Sequence, residues 1–560
     1  MRTVKNFECP MRDGVLLATD LYLPDEEGAY PVILMRTPYN KNGFCNDPLY
    51  SHYDEYVAKG YVVAIQDCRG TCASEGKINL NGGNEKDDGY DTIEFLAAQP
   101  FCDGNVGTFG LSYFGYTQAA AAFGAPPHLK AACPFMCGSL ASFGTSRMQT
   151  IASFHLGWAY GQLLERADTY FPDEEFRKQI VPVLRENYEK LGEYSRVLPM
   201  NQNPAALISG VPMLRDYIDL VEGVEKKEFW DSINSPMSYD AMHTAMLFGT
   251  GWMDGACNST IENFMAARRS EDAYTRENAR LLIGPWTHGG VLPSQIEDIN
   301  FGDENTGENQ DVAGMMLRWF NRYLKNEKDD CFDGRVRYFI MGSNDWHTSQ
   351  EWPPREADPV RWYLSEGGKL EKTIPQAGEI KMIYDPENPA PSALVDQKKR
   401  SLMADWSEIS GREDVVEFAS DVLEEDMTIA GSLNMCLYAA ADVPDTDFVC
   451  RLTDIAPDGY QRQIAVGYVR ARHRKALFQN DFLTPGETVC YEFGLGHTGY
   501  CMEKGHAIGV QVMGSLFPAI NRNLNTTEPP ALGSTWQIAH DRIFFGGKCA
   551  SCIEILVLRG

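Results

Sequence analysis

What the sequence lacks narrows it first. No stretch of about 18 apolar residues occurs, so neither a membrane-spanning helix nor a membrane partner is expected. No lysine- or arginine-rich block occurs, and the formal net charge is −28, from 78 acidic against 50 basic residues. Nucleic-acid binding draws on basic surface that displaces counterions, so no nucleic-acid partner is expected. The opening residues, Met1-Arg2-Thr3-Val4-Lys5-Asn6-Phe7-Glu8, lack the apolar run and small-residue cleavage site of an export signal. In that context the 15 cysteines read as free thiols and the expected compartment is cytoplasmic. Repeats, low-complexity segments, a dinucleotide fingerprint and a phosphate-binding loop are all missing. Metal-ligand patterns are sparse too. Cys549-Ala550-Ser551-Cys552 has no second pair at matching spacing, and Cys552 opens an expected strand, so it reads as structural. Cys68 with Cys72, and Cys133 with Cys137, lack histidines at ligand spacing. Neither a metal nor a cofactor is expected.

What is present is an ordinary globular composition, 44% hydrophobic and 23% charged, over a length that suggests three domains. A hairpin, Thr3–Cys9 and Val15–Leu23, opens the chain. Apolar strand candidates follow at 31–35, 61–65 and 106–109, with helical spacing over Asp88–Ala98 and Gly115–Phe123. Strands alternating with helices argue for a parallel sheet covered on both faces. From 138 to 240 the pattern turns helical, notably over Thr150–Arg166 and Glu175–Leu191. Strands resume at 244–248, 280–283 and 336–341, with an amphipathic helix over Ala313–Leu324. After Trp352-Pro353-Pro354, short alternating strands recur around residues 361–364, 433–438, 448–452, 467–471, 508–513 and 552–558. That pattern reads as an all-β sandwich, a jelly-roll or similar. The expected division is an α/β catalytic part, 1–137 and 241–354, a helical cap at 138–240, and a β domain at 355–560.

The chemistry centres on Gly107-Thr108-Phe109-Gly110-Leu111-Ser112-Tyr113-Phe114-Gly115, which leaves a strand and opens a helix. That is where a nucleophile elbow sits, with its serine held exposed on a sharp turn. The usual pattern has glycine two positions either side of the serine. Here Gly110 fits, but Phe114 takes the second position and the glycine comes one later. On its own the stretch reads equally as a glycine-flanked turn. A serine hydroxyl needs a base to take its proton, and the base needs an acid to orient it. In this kind of sheet they follow in the order Ser, acid, His, each near a strand end. Asp254, in Gly251-Trp252-Met253-Asp254-Gly255, and His288, in Pro285-Trp286-Thr287-His288-Gly289, satisfy that order. The other nine of the ten histidines do not. An oxyanion needs donors. The backbone N–H of Tyr113 is one candidate, and the hydroxyl of Tyr39, in the loop Arg36–Lys41, is another.

These stretches, with Gln66-Asp67-Cys68-Arg69-Gly70, Asp88–Glu94, Pro444–Phe448 and Asn521–Asn525, resemble the cocaine esterase/X-prolyl dipeptidyl-peptidase family of serine hydrolases, the CocE/NonD family. The resemblance implies an α/β-hydrolase domain with a helical cap and a C-terminal jelly-roll. It implies Ser112 as nucleophile, Asp254 as acid, His288 as base, and Tyr39 with Tyr113 as the oxyanion hole. The family's elbow is Gly-x-Ser-Tyr-x-Gly, which accounts for the displaced glycine. Trp158 resembles a cap aromatic that lines the acyl pocket of esterase members; a core tryptophan of a helical bundle would look the same.

Family members cleave different bonds: aryl esters, β-lactam side chains, X-Pro dipeptides. Enzymes that hold a free α-amino group need carboxylates, and none clusters beside Asp254, though Glu165, Glu174 or Glu175 of the cap remain available. The expected function is therefore a serine hydrolase cleaving a carboxylic ester or amide through an acyl-enzyme. The alternatives are an X-Pro dipeptidyl-peptidase or glutaryl/β-lactam acylase and, in another class, a catalytically inactive carbohydrate- or ligand-binding protein. The expected partner is a small-molecule ester or amide; a homodimer is left open.

Overall fold

The structure is a computed structural model. It describes residues 1–43, 53–78, 83–138, 155–229, 238–291, 295–296, 298–328, 331, 333–392 and 403–559. Among the described residues no helix is long and apolar enough to cross a membrane.

Ten strands make the first sheet. They are β1 (Arg2–Pro10), β2 (Leu16–Leu23), β3 (Tyr30–Thr37), β4 (Val62–Asp67), β5 (Cys102–Leu111), β6 (Leu129–Phe135), β7 (Ala245–Met253) and β8 (Ala279–Thr287), then Val336–Ile340 and Asp345–Ser349. Their order is β1-β2-β4-β3-β5-β6-β7-β8, followed by the last two. The expected hairpin pairs Phe7 with Thr19 and Cys9 with Leu17. From β3 to Val336–Ile340 every neighbouring pair is parallel. Strands buried on both faces read as continuous apolar runs, and β4 and β7 are buried from end to end.

Helices Glu85–Ala97 and Tyr113–Phe123 cover one face, packing so closely that a Cβ on Gly89 would lie 2.5 Å from the Ala121 side chain. The amphipathic helix Val312–Lys325 and the short helix Tyr53–Ala58 cover the other, around Tyr56, Trp319 and Phe320. Between β6 and β7 the chain is helical: 155–165, Ala167–Tyr170, Glu174–Glu189, Leu191–Tyr194 and Pro212–Gly223. These helices bury a core of their own, including Leu156, Tyr160, Leu184 and Leu214. Residues 150–154 of the helix expected over Thr150–Arg166 lie outside the described residues, as do 139–149 and 230–237 of the expected cap span.

From Ala357 on, the chain forms an 11-stranded, almost wholly antiparallel sheet. Five of its strands were not legible in the sequence: Lys369–Glu371, Gly378–Tyr384, Val415–Ala419, Val489–Met502 and Ala539–Phe545. Val489–Met502 shows why. Gly494, Gly496 and Gly499 interrupt its apolar alternation, and at Gly496 and Gly499 other parts of the chain press on it. A Cβ on Gly496 would lie 2.2 Å from the Asn258 side chain, and one on Gly499 would lie 2.8 Å from the Phe339 carbonyl. Gly499 and Cys501 also exchange backbone hydrogen bonds with Met341, at 3.0 and 2.7 Å. The two sheets therefore share one continuous apolar core.

The two late motifs, Pro444–Phe448 and Asn521–Asn525, meet in a buried polar network. Arg470 donates to both carboxylate oxygens of Asp447 at 2.9 Å, and Arg472 donates to Asp445 at 2.7 Å. The Asn523 amide bridges the two aspartates at 2.8 Å each. All four charged groups are buried. Removing one partner of such a pair strands the other charge in a dry environment, at a cost of about 3–5 kcal/mol. Asp447→Ala is thus expected to destabilise the chain by that order, read as a lowered urea midpoint; an unchanged midpoint would show the network to be energetically idle.

Candidate active site

The elbow is strained where the sequence pattern places it. Ser112 follows β5 directly and sits at φ 61°, ψ −124°, before helix Tyr113–Phe123. A non-glycine residue held there costs about 1–3 kcal/mol, so its surroundings must impose the geometry. They do so with several hydrogen bonds. The Ser112 N–H donates to the Phe135 carbonyl at 3.1 Å, and Tyr116 N–H donates to the Ser112 carbonyl at 2.9 Å. The Gln118 amide donates to the carbonyls of Gly110, Phe114 and Cys133 and accepts from the Cys133 N–H, tying the helix to both β5 and β6.

The glycine spacing also has its reason. Gly110 lies at φ 148°, and a Cβ there would fall 2.4 Å from the Phe114 ring. A Cβ on Gly115 would fall 2.6 Å from the Phe135 carbonyl oxygen. The second glycine serves the approach of the helix to β6, one residue after the position that Phe114 fills.

Strand order brings the remaining residues to the same edge. β3 pairs with β5, so Tyr39, two residues past β3, lies beside Ser112. β7 pairs with β8, and Asp254 and His288 are the residues next after them. A Cβ on Gly251 would lie 2.1 Å from the Trp286 carbonyl oxygen, so glycine there lets the two strand ends close together.

The Ser112 hydroxyl lies 2.8 Å from His288 Nε2, and His288 Nδ1 lies 2.6 Å from Asp254 Oδ1. A carboxylate can only accept, so Nδ1 carries the proton and Nε2 is left to accept from the serine. Asp254 is buried, and its other oxygen accepts from the Thr250 hydroxyl at 3.1 Å; the Ala256 N–H adds a 2.8 Å bond to Oδ1. Burial pushes the His288 imidazolium down, but the hydrogen bond and charge of Asp254 outweigh it, leaving its pKa above the ordinary imidazole value. His128, His243, His347, His506 and His540 also pair with carboxylates. A histidine–carboxylate pair is therefore uninformative in this chain, and the serine on the far nitrogen is what sets His288 apart.

Tyr39 and Trp158 are joined. The Trp158 indole N–H donates to the Tyr39 hydroxyl oxygen at 3.1 Å, and that hydroxyl stands beside Ser112. With its oxygen occupied by the indole, the phenol has its proton to direct at an oxygen beside Ser112. The Trp158 ring stacks on Tyr113 at 6.0 Å and meets Tyr39 edge-on at 6.2 Å. Phe114 lies edge-on to Tyr39 at 5.7 Å. Burial raises the Tyr39 pKa, which keeps the phenol protonated. The Tyr113 N–H stands in the first turn of its helix, where no intrahelical acceptor exists. The Tyr113 hydroxyl is anchored 3.1 Å from Glu85, which in turn pairs with buried Arg36 at 2.9 Å.

Sequence reasoning missed Gln118, Thr250, Glu85 and Arg36. Gln118 left a trace: it is the one amide in the buried run Ala119–Phe123 and its preceding turn. Among the described residues, the one group of ligand-type side chains compact enough for a metal ion lies in the C-terminal sheet, on strands that do not carry this site.

The chain matches two family models, X-Pro dipeptidyl-peptidase (S15 family) over residues 13–290 and X-Pro dipeptidyl-peptidase C-terminal non-catalytic domain over 332–554. It is 32% identical over 544 residues to a cocaine esterase of Rhodococcus sp. (strain MB1 Bresler), covering 93% of this chain and 92% of the relative. Among the solved structures that share the fold are two with near-complete overlap. An aminopeptidase from a marine sediment archaeon, Thaumarchaeota archaeon, superposes with a TM-score of 0.79 at 24% identity, over 100% of this chain and 96% of that one. A CocE/NonD family hydrolase from Staphylococcus aureus superposes with a TM-score of 0.69 at 20% identity, over 99% and 93%. With cocaine esterase alike along nearly its whole length and an α/β-hydrolase sheet joined to the family's C-terminal domain, the chain belongs to the CocE/NonD hydrolases of the S15 family and is a serine hydrolase.

Proposed function

We propose that this hydrolase is a carboxylesterase that passes a largely apolar acyl group through Ser112. The observation that carries the reading is the hydrogen-bonded line Ser112–His288–Asp254, facing a Tyr39 hydroxyl set in an aromatic wall. His288 takes the Ser112 proton as the hydroxyl attacks the substrate carbonyl, and the proton then passes to the leaving group. Asp254 fixes the tautomer and supports the imidazolium. The Tyr39 hydroxyl and the Tyr113 N–H receive the oxyanion. Water then frees the acyl group by the same steps reversed. Trp158 does two things here: it orients the Tyr39 phenol and offers its ring to the acyl group.

The ester reading over a dipeptidyl-peptidase rests on where the cap carboxylates go. Glu165 pairs with Arg166 at 3.1 Å, while Glu174 and Glu175 both pair with Lys178 on the surface. Glu85 is engaged by Arg36 and the Tyr113 hydroxyl. Each of these four carboxylates already faces a cation of this chain. The similarity to a relative named cocaine esterase supports the same choice. An inactive binding protein would need no such serine line.

A fluorophosphonate probe should label the folded wild type and leave Ser112→Ala unlabelled; equal labelling of both would remove Ser112 from the mechanism. In a panel of chromogenic substrates, aryl and short-acyl esters should turn over faster than glutaryl amides and X-Pro anilides. A preference for X-Pro anilides would reverse the assignment. Tyr39→Phe should lower kcat by about 10²–10³-fold, as other oxyanion-donor deletions do, and an unchanged kcat would exclude the phenol. The catalytic form of His288 is neutral, so activity is lost as pH falls through its raised pKa. The acid limb of kcat/KM should therefore lie above about 6.5. Asp254→Asn removes the groups that raise that pKa and leaves burial acting alone. The limb should move to lower pH while kcat drops by about 10⁴-fold; a limb that stays in place would assign the titration to another group.

A further inference from the structure

The open face of the C-terminal sheet gathers three ligand-type side chains, Cys490, Glu492 and Cys552, around Cys436. In strand Met427–Ala440, Asn434, Cys436 and Tyr438 face outward while Met435, Leu437 and Ala439 are buried. Across the ladder Cys436 is opposed by Glu492 on one side and by Cys552 on the other. Directly opposed residues share a face, with Cβ atoms about 4.5–5.5 Å apart. Cys490, two residues before Glu492, shares it as well, and its Sγ lies 3.4 Å from that of Cys436. One ligand atom from each of Cys436, Cys490 and Glu492 falls within 4.8 Å of the others. The Cys552 thiol stands on the neighbouring strand, directly across the ladder from Cys436. Tyr438 is the cross-strand partner of Cys490, on the same face, where a hydroxyl can give the outer-sphere support that metal-bound sulfurs commonly have.

We infer that this face binds one thiophilic metal ion of the zinc(II) class, with Cys436, Cys490 and Glu492 as ligands and Cys552, the next thiol across the ladder, turning in as the fourth donor. Zinc–thiolate bonds of about 2.3 Å put tetrahedral sulfurs roughly 3.8 Å apart, so the Cys436–Cys490 separation needs to open by only a few tenths of an ångström. A disulfide would use two of these groups and leave a thiol and a carboxylate beside it with no task; a four-coordinate ion uses all of them. The donors come from three strands far apart in sequence. That is why Cys549-Ala550-Ser551-Cys552, searched for a second pair along the chain, gave no sign of them. The ion would pin together strands Met427–Ala440, Val489–Met502 and Cys552–Leu558, the second of which contacts the catalytic sheet.

The test uses the full chain, reduced and stripped with a chelator, then titrated with cobalt(II). A thiolate-to-cobalt charge-transfer absorption should grow to one ion per chain and be displaced by zinc(II). Cys490 is exposed, so Cys490→Ser should fold normally and weaken cobalt binding by at least about 10-fold. The Cys436→Ser/Cys490→Ser double variant should lose the absorption. Fluorophosphonate labelling of Ser112 in each variant reports folding separately from metal binding. No absorption in reduced wild type, or an absorption that survives in the double variant, would overturn the proposal.

Discussion

A carboxylate taken out of water costs several kcal/mol unless its lone pairs are filled. Asp254 is buried, and both of its oxygens are filled: Oδ1 by His288 and the Ala256 N–H, Oδ2 by Thr250. Each partner depends on backbone that must arrive from a different place. Thr250 comes from inside β7, Ala256 from the turn after it, and His288 from the end of β8. The arrangement requires the ends of β7 and β8 to touch, which is what Gly251 permits. A side chain at that one position would part the strands and take His288 away from the carboxylate, leaving it only the Thr250 hydroxyl and the Ala256 N–H. The site thus also solves the burial of one charge, and the hydrogen-bonded line from Asp254 to Ser112 is part of that solution.

The serine side of the site poses a different problem, since there it is the backbone at Ser112 that is strained. The positive φ at Ser112 is held by hydrogen bonds to β6 and within the helix, with Gln118 bridging β5, β6 and the helix from a buried position. Rigidity at both ends has a common effect. The distance from Ser112 to His288 is set by the sheet, so no loop has to close to form it. The aromatic wall is assembled differently, because Trp158 belongs to the helical segment and reaches the sheet through one indole hydrogen bond and a ring stack. That makes the cap the part of the site best able to vary between relatives that cleave different bonds.

What could be read from the chain alone follows this division. Ser112, Asp254 and His288 were legible because each directly follows an apolar strand, and the chemistry dictates their order. Tyr39 was legible only as a member of the right loop. Its bond to Trp158 was not, since the two lie 119 residues apart and nothing in either segment specifies their meeting. Thr250 sat in plain view between two glycines, but a strand threonine announces nothing until the carboxylate beside it is known. The strand Val489–Met502 escaped because two of its glycines answer to contacts from Asn258 and Phe339, which a local pattern cannot contain. The thiols around Cys436 escaped for the same reason: a sheet assembles neighbours across strands, while spacing rules see neighbours along one.

Those strand glycines also explain what the second domain contributes to the first. Asn258 lies in the helix that begins just after Asp254, and its side-chain oxygen accepts from the His497 N–H at 2.8 Å. Trp252, two residues before Asp254, donates its indole N–H to the Phe339 carbonyl at 2.6 Å while its ring lies against Gly499. The acid-bearing turn is therefore clamped on both sides by the strand that joins the sheets. Burial of the His497 ring drives its pKa down to about 4, so this contact stays neutral across the range in which His288 titrates. A charge appearing there would be poorly placed, a few residues from a carboxylate whose environment must not change with pH. The C-terminal domain carries none of Ser112, Asp254 or His288, yet the position of Asp254 depends on it, which is a physical reason for the two sheets to share one core.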